Sequence, residues 1–563
     1  MTSLVWQPDP SFVRTTNLHW LLQRLGVPTY EEAHAWSVAH RDAFWDLVRG
    51  RLTIQPGNAV ANCFGADPAA PAVVEQAAGE PIRTTSFGTL DRLSNRVAHA
   101  LIARGLRPGE TVGIVMPMTS HAIAIYLGIL KAGGVTVGIA ESFMPPEISL
   151  RLEIAGVRRV FTQEAIRRGA KRLPLAARVR EAGAAELLSW EDVADASDAP
   201  VLVPRQPSDR LTILFSSGTT GDPKAIPWTH ETPLKCAMDA HFHHDVRPGD
   251  VLAWPTSLGW MMGPWLMFAA TWNRAAMALY DGGPMEPEFG RFVQDAGVTL
   301  LGVVPSLVKQ WRATKAVDAC DWSRIRAFSS TGECSNADDM AWLMARGGHK
   351  PIIEYCGGTE VAGGYITGTM VQPARPATFT TPALGLDFVI LDDEGHEADV
   401  GEAFLVPPSV GLSMELLNAD HGAVYEADLP RPGLRRHGDQ IERLADGSYR
   451  AHGRRDDTMK LGGIKVSSAE IERVMLRVSG VRESAAVAVP PPGGGPSRLV
   501  VYAVADKHAD LLREMQAAIG EHLNPLFKLH DVVVIDAFPR TASGKVMRRR
   551  LRDDYAAREG APA

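Results

Sequence analysis

Cysteine is scarce and unpatterned in this chain. Five occur in 563 residues, at positions 63, 236, 320, 334 and 356. An odd number with no C-x-x-C pair and no His/Cys ligand spacing excludes a disulfide framework and a zinc site, and fits a reducing compartment. A large excess of charge is also missing. The net charge of −7 gives no global pull on nucleic acid or anionic lipid, so an anionic ligand must be held by local groups. Long apolar runs are absent. The most apolar stretch, residues 260–270, contains Gly263 and Pro264 and stops at Asn273-Arg274, too short to span a bilayer. The N-terminus lacks the charged start and apolar core of a signal peptide, and the final Ala-Pro-Ala is not a peroxisomal address. These absences predict a cytoplasmic protein without a nucleic-acid partner or a membrane span.

What is present is ordinary globular composition, 45% apolar and 22% charged, over a length that exceeds one hydrophobic core. Residues 1–75 are Trp-rich and amphipathic and read as a helical extension. From Phe87 onward, Leu90, Leu93, Val97 and Leu101 share a helical face that Gly105 and Pro108 end. Short apolar strands at 111–116, 135–140, 212–215, 251–254, 275–279, 299–304 and 351–355 alternate with helical stretches, the pattern of largely parallel α/β sheets. Between 381 and 449, acidic turns separate short strands such as 388–391 and 403–406, as in a β-rich subdomain. Past Arg454-Arg455-Asp456-Asp457 a compact unit begins, with Ser467 and Glu470 spaced as a capping box ahead of Ile471, Val474, Met475 and Val478. The expected fold is therefore α/β. A large domain, 1–455, holds two α/β subdomains, a β-rich subdomain and the helical extension. A small, mobile α+β C-terminal domain, 456–563, follows, with Asp456 as the hinge.

One loop stands out. Ser216-Ser217-Gly218-Thr219-Thr220-Gly221-Asp222-Pro223-Lys224 follows the apolar run Leu211-Thr212-Ile213-Leu214-Phe215. Glycines let backbone N–H groups approach an anion, hydroxyls donate hydrogen bonds, and Lys adds charge, so the loop reads as a phosphate cradle. It is neither the Gly-x-x-x-x-Gly-Lys-Ser/Thr loop of common NTPases nor a Gly-x-Gly-x-x-Gly dinucleotide loop.

Further segments follow in order: Thr331-Gly332-Glu333-Cys334, Tyr355-Cys356-Gly357-Gly358-Thr359-Glu360, His437-Gly438-Asp439, Gly453-Arg454-Arg455-Asp456-Asp457, Lys460-Leu461-Gly462-Gly463-Ile464-Lys465 and Pro539-Arg540-Thr541-Ala542-Ser543-Gly544-Lys545. Together with the loop they resemble the adenylate-forming superfamily of acyl-CoA synthetases, peptide-synthetase adenylation domains and luciferases, over nearly the whole chain. The resemblance implies ATP, Mg2+ and CoA as partners of a small-molecule carboxylate. It implies that Ser216, Ser217, Gly218, Thr219, Thr220, Gly221 and Lys224 grip ATP phosphates, and that Gly332, Glu333 and Cys334 pack on adenine. Tyr355, Cys356, Gly357, Gly358 and Thr359 would line the nucleotide, with Thr359 on the α-phosphate. Asp439 and Arg454 would hold ribose, and Lys465 would add a contact. Glu360 and Thr219 would hold the metal. Lys545 would drive adenylation; Lys460, Gly462 and Gly463 would serve the CoA step, the glycines leaving room for the pantetheine arm.

Attack of a carboxylate on the α-phosphate brings anion onto anion, which is why such a site needs cations and N–H dipoles. The N-terminal stretch with Trp36, Phe44 and Trp45, and the segment Glu141-Ser142-Phe143-Met144-Pro145-Pro146-Glu147-Ile148, are similar to the acetyl-CoA synthetase and plant acyl-activating branches. An acyl pocket is expected around Trp260, Met261, Met262, Thr331 and Gly357. Acetyl-CoA synthetases carry Trp at the place of Gly357, so Gly is expected to open the pocket to acids longer than acetate, and Gly357→Trp to turn preference back. Ala225, Gly358 and Lys465 depart from common family residues; Lys keeps charge but loses the bidentate fork of Arg. His241, His243 and His244 read as surface histidines rather than ligands. Two rivals remain open: adenylation with a carrier-protein or amine acceptor, and a silent nucleotide-binding scaffold on the same fold.

Overall fold

A computed structural model describes residues 5–168, 171–216, 223–454, 458–461, 463–491, 494–505, 510–539 and 546–560. Ser217, Gly218, Thr219, Thr220, Gly221, Asp456, Gly462 and Lys545 lie outside these residues, as do the side chains of Arg454 and Lys465.

Every strand expected from apolar runs in the α/β region is present, and they sort into two sheets. One runs Ile352–Glu354, Ala327–Ser330, Leu300–Val303, Val251–Ala253, Ala276–Asp281, Pro71–Ala77, Arg83–Ser86; only its last pair is antiparallel. The other runs Lys224–Thr229, Arg210–Ser216, Val135–Gly138, Thr111–Val115, Arg159–Thr162, Glu186–Leu188, with only the Arg210–Ser216/Lys224–Thr229 hairpin antiparallel. These strands are short and apolar because helices cover both faces of a parallel sheet. Helix Met262–Trp272 is buried along its full length and Ser120–Lys131 at every residue but His121, and Tyr126 of one meets Phe268 of the other edge to face. The apolar stretch at 260–270 is thus an internal helix, not a membrane segment. Among the described residues no helix is long and apolar enough to cross a membrane.

The helical extension is built into the same core. Phe44 is fully buried and Trp45 nearly so. Asn17 donates from Nδ2 to the carbonyls of His241 and Val246, and its backbone N–H to Asp245. The β-rich region forms an antiparallel sheet, Asp387–Leu391, Val400–Val406, Arg435–Arg443 and Tyr449–Arg454. The small C-terminal domain has a hairpin, Thr458–Leu461 with Ile464–Ser467, and a sheet of Val481–Val489, Arg498–Ala505 and Leu529–Val534. The capping box forms as spaced: Glu470 N–H donates to Ser467 Oγ and Ser467 N–H to Glu470 Oε2.

The three histidines after Met238 overturn the surface reading. His243 and His244 are buried and His241 nearly so. Burial lowers all three, His241 to about 3 and His244 to about 4, so they are neutral packing groups at physiological pH. Their run of polar letters gave no periodicity; the partners that satisfy them come from distant segments, as with Asn273 on His241 and Ser329 on His244.

Candidate active site

Strand ends deliver the candidate residues. Ser216 closes the strand Arg210–Ser216, and its buried hydroxyl has no hydrogen-bond partner among the described residues. Lys224 opens the return strand, and its ammonium lies over the Tyr425 ring at 5.1 Å. Segment 331–334 follows the strand Ala327–Ser330, and Glu354 ends the strand Ile352–Glu354. Carboxyl ends of parallel strands are where open α/β sheets present their ligand sites.

Cys334 marks the convergence. Burial pushes its thiol up to about 11, and it feels the charges of Lys460, Asp439, Glu333 and Glu354. Segment 331–334, the Asp439 carboxylate and the C-terminal hairpin therefore meet at one place. Asp439 lies within the strand Arg435–Arg443, opposite the Arg454 backbone. The Cys356 thiol and the Tyr365 hydroxyl both donate to its Oδ2 at 3.2 Å, and His437 Nε2 lies 3.2 Å from the same oxygen. Glu333 accepts the backbone N–H of Ser306 at 2.9 Å.

Glu360 is 4% exposed, with Arg435 in electrostatic reach. Its backbone carbonyl accepts from Ser413 N–H, and the Thr359 carbonyl accepts from Trp228 Nε1 at 2.8 Å. Among the described residues no group of three or more His, Cys, Asp and Glu is arranged to hold a metal ion by itself. The one buried carboxylate of Glu360 suits Mg2+, which takes one or two protein oxygens and completes its shell from phosphates and water.

The C-terminal hairpin is docked against the large domain. A Cβ on Gly332 would lie 3.1 Å from Gly463 Cα, so the two glycines face each other at backbone distance. Trp260 is half-buried and packs at once on the C-terminal core and on the core that contains Phe143. Trp260, expected to line the acyl pocket, thus lies at the contact between domains, a place that a single aromatic letter in the sequence does not reveal. Met262, 7% exposed, begins the buried helix Met262–Trp272 and Met261 is its N-cap; Thr331 bonds its N–H to the Val303 carbonyl.

Two more expectations need correction. The Tyr355 side chain does not face the nucleotide. It is 1% exposed and points into the core, where its hydroxyl donates to Asp239 Oδ2 at 2.5 Å and accepts from Trp265 Nε1 at 3.0 Å. Asp239 also accepts from Lys235 Nζ and Gly364 N–H, a network buried among three elements. Burial would raise Asp239; the Lys235 charge and the His243 hydrogen bond more than offset this and hold it below the usual carboxylate range. Tyr355 is the link between the strands Ile352–Glu354 and Cys356–Gly358, and there it faces inward while Cys356 turns to Asp439. Gly357 does not open a pocket either. A Cβ there would lie 1.7 Å from the Gly363 carbonyl oxygen and 2.9 Å from Gly364 Cα. The space belongs to the neighbouring strand, so Gly357→Trp would break the pairing of Cys356–Gly358 with Gly363–Thr367 rather than retune the substrate.

Glu354 is a site residue that motif reading passed over; the only sequence signal was an acid at the end of an apolar strand. It is 2% exposed and accepts from Ser335 Oγ at 2.7 Å. Burial pushes it up to about 7, against partial lowering by Ser335 and Ser330. The folded chain then keeps a proton that the unfolded chain releases near 4.5. Stability falls as pH rises between those values, by on the order of 3 kcal/mol, and the loss is complete above about 7. In Glu354→Gln this loss disappears. The melting temperature of the variant relative to wild type is expected to rise as pH goes from 5 to 8; parallel curves would count against a proton held at Glu354.

Comparison with known proteins places this geometry. The family described as AMP-binding enzyme matches residues 61–404, and the AMP-binding enzyme C-terminal domain matches 470–545. The chain is 42% identical to "Probable acyl-activating enzyme 17, peroxisomal" of Arabidopsis thaliana, over 97% of this chain and 87% of that one. It is 40% identical to "Hexanoyl-CoA synthase" of Cannabis sativa, over 98% and 88%. Among solved structures it is similar to "Acetoacetyl-CoA Synthetase from Streptomyces lividans", with a TM-score of 0.77, 25% identity, and 100% and 96% of the two chains covered.

Proposed function

This chain belongs to the AMP-binding enzyme family and is an AMP-forming acid–thiol ligase, and from that premise we propose how its residues divide two half-reactions. Carboxylate and ATP give acyl-adenylate and pyrophosphate; the CoA thiol then takes the acyl group and AMP leaves. A substrate larger than acetate fits the relatives, two of which are named for hexanoyl and acetoacetyl groups. Because Gly357 is filled by backbone, the size reading rests on those relatives and on flexible Met262 rather than on a missing Trp.

In the first step the loop 216–224 holds the β- and γ-phosphates, Ser216 supplying an unsatisfied hydroxyl and Lys224 a charge. Thr359 meets the α-phosphate, Asp439 and Arg454 hold the ribose, and Lys465 adds a contact. Gly332, Glu333, Cys334 and the backbone at Cys356–Gly358 line the nucleotide. Lys545 sits between carboxylate and α-phosphate. Glu360, with Thr219, would hold Mg2+, which supplies neutralising charge on the phosphates. In the second step the C-terminal domain, residues 456–563, turns about Asp456 against the large domain, 1–455, and offers Lys460, Gly462 and Gly463 to the thiol. The convergence of Lys460, Asp439 and Glu354 on Cys334 carries this reading, because it sets the C-terminal hairpin beside the nucleotide residues. All five cysteines are free thiols, which supports placement in a reducing compartment such as the cytoplasm.

A panel of carboxylates from acetate to medium-chain, branched and aryl-alkyl acids, run with ATP, Mg2+ and CoA, tests the proposal. We expect CoA-dependent AMP release, with the highest kcat/KM for an acid longer than acetate. Acetate as best substrate would overturn the size reading. Hydroxamate-trapped adenylate without CoA-dependent AMP would point to a carrier-protein or amine acceptor.

A further inference from the structure

Residues 413–425 leave the β-rich subdomain and cross the edge of the six-stranded sheet at the foot of the phosphate loop. At one end, Ser413 N–H donates to the Glu360 carbonyl at 2.9 Å, and Arg435 fixes Ser413 by donating to its carbonyl and its Oγ. In the middle, Leu417 N–H donates to the Ala225 carbonyl at 3.1 Å. Asn418 then makes a reciprocal pair: its Oδ1 accepts Ala225 N–H at 3.0 Å, and its Nδ2 donates to the Pro223 carbonyl at 2.9 Å. At the far end, Tyr425 presents its ring to Lys224 and to Arg435. Arg210 anchors the segment with a bidentate pair to Glu415, at 2.8 and 2.9 Å.

Lys224–Thr229 is the edge strand of its sheet. Its outward N–H and C=O groups need partners, and buried Ala225 cannot find them in bulk water. The Asn418 amide imitates a strand neighbour, giving one donor and one acceptor to the residues on either side of Lys224. The same strap binds the carbonyl of Glu360. One short segment therefore ties the foot of the loop to the residue expected to face the phosphates from the opposite side.

We propose that Asn418 is a positioning residue for ATP: its side-chain amide holds Pro223 and Ala225 so that Lys224 stays in register with Glu360. The inference rests on the adenylation reading above. Asn418 is itself exposed, so its replacement removes the clamp without opening the core.

In Asn418→Ala the KM for ATP in acyl-adenylate formation is expected to rise about tenfold, the scale of two lost hydrogen bonds. The melting temperature should fall by no more than a few degrees, and the rate of CoA transfer from supplied acyl-adenylate should stay at the wild-type value. Asn418→Asp, which keeps the acceptor for Ala225 and loses the donor to Pro223, should fall between. Arg210→Ala, which frees the strap at Glu415, should shift the ATP KM in the same direction by a smaller factor. An unmoved ATP KM in Asn418→Ala, or an equal loss in CoA transfer, overturns the clamp alone. A wild-type enzyme that forms no acyl-adenylate overturns the adenylation reading and the clamp with it.

Discussion

Lys545→Ala is expected to slow acyl-adenylate formation by about a thousandfold while leaving CoA transfer from supplied acyl-adenylate within a few-fold of wild type. The size follows from the task. A carboxylate approaching a phosphate meets like charge, and removal of one pre-placed charged donor from such a centre costs roughly 10²–10³ in rate. The selectivity follows from the docking of the C-terminal domain. The hairpin Thr458–Leu461/Ile464–Ser467 lies beside the residues proposed to hold the nucleotide, with Lys460 in electrostatic reach of Cys334 and Cys356. A second charged loop of the same domain is not needed there once the adenylate exists. Single-turnover assays of the two half-reactions read this out; equal loss in both would refute a division of labour between the two faces of the domain.

Gly463→Leu is the mirror image. Gly463 has φ +79°, a left-handed conformation that costs other residues about 1 kcal/mol or more. A Cβ there would lie 2.7 Å from Val304 Cγ1, and the residue faces Gly332 across a backbone-to-backbone gap. A Leu side chain fits neither the conformation nor the gap, so the hairpin cannot seat. CoA transfer is expected to fall at least about a hundredfold, with adenylation near wild type, because in the proposed alternation that step uses the other orientation of the domain. CoA transfer at wild-type rate in this variant would show that the docked hairpin is not the transferring arrangement. The two variants together form a cross: each should lose the step that the other keeps.

Much of this was legible before any coordinates. Parallel strands read as apolar runs because both of their faces are covered, and seven of them were found this way. The capping box at Ser467 and Glu470 read correctly because its spacing alone makes the two hydrogen bonds possible. Asp439, Glu360 and Cys334 stand out in the sequence because their motifs resemble those of the adenylate-forming superfamily, and the fold brings Asp439 and Cys334 to one place.

Other residues were misread for one shared reason: their roles depend on which distant segment lies opposite. Tyr355 belongs to a motif, yet as the link between two strands it turns its ring toward Asp239 and Trp265, both far away in sequence. Gly357 looks like a vacancy until the next strand is seen to fill it. His241, His243 and His244 look like surface residues until Asn273, Leu384 and Ser329 arrive as partners. Asn418 carries no signal at all, since its worth lies in meeting the edge of a strand almost two hundred residues earlier.

The sequence by itself determined the fold class, through local periodicity, and the family and reaction class, through the order of its motifs. Tertiary structure alone decided which way the side chains of those motifs turn, how the C-terminal hairpin seats against Gly332, and what braces the strand that Lys224 opens. Those are matters of contact between remote parts of the chain, and contact depends on packing and hydrogen-bond satisfaction that no local pattern encodes.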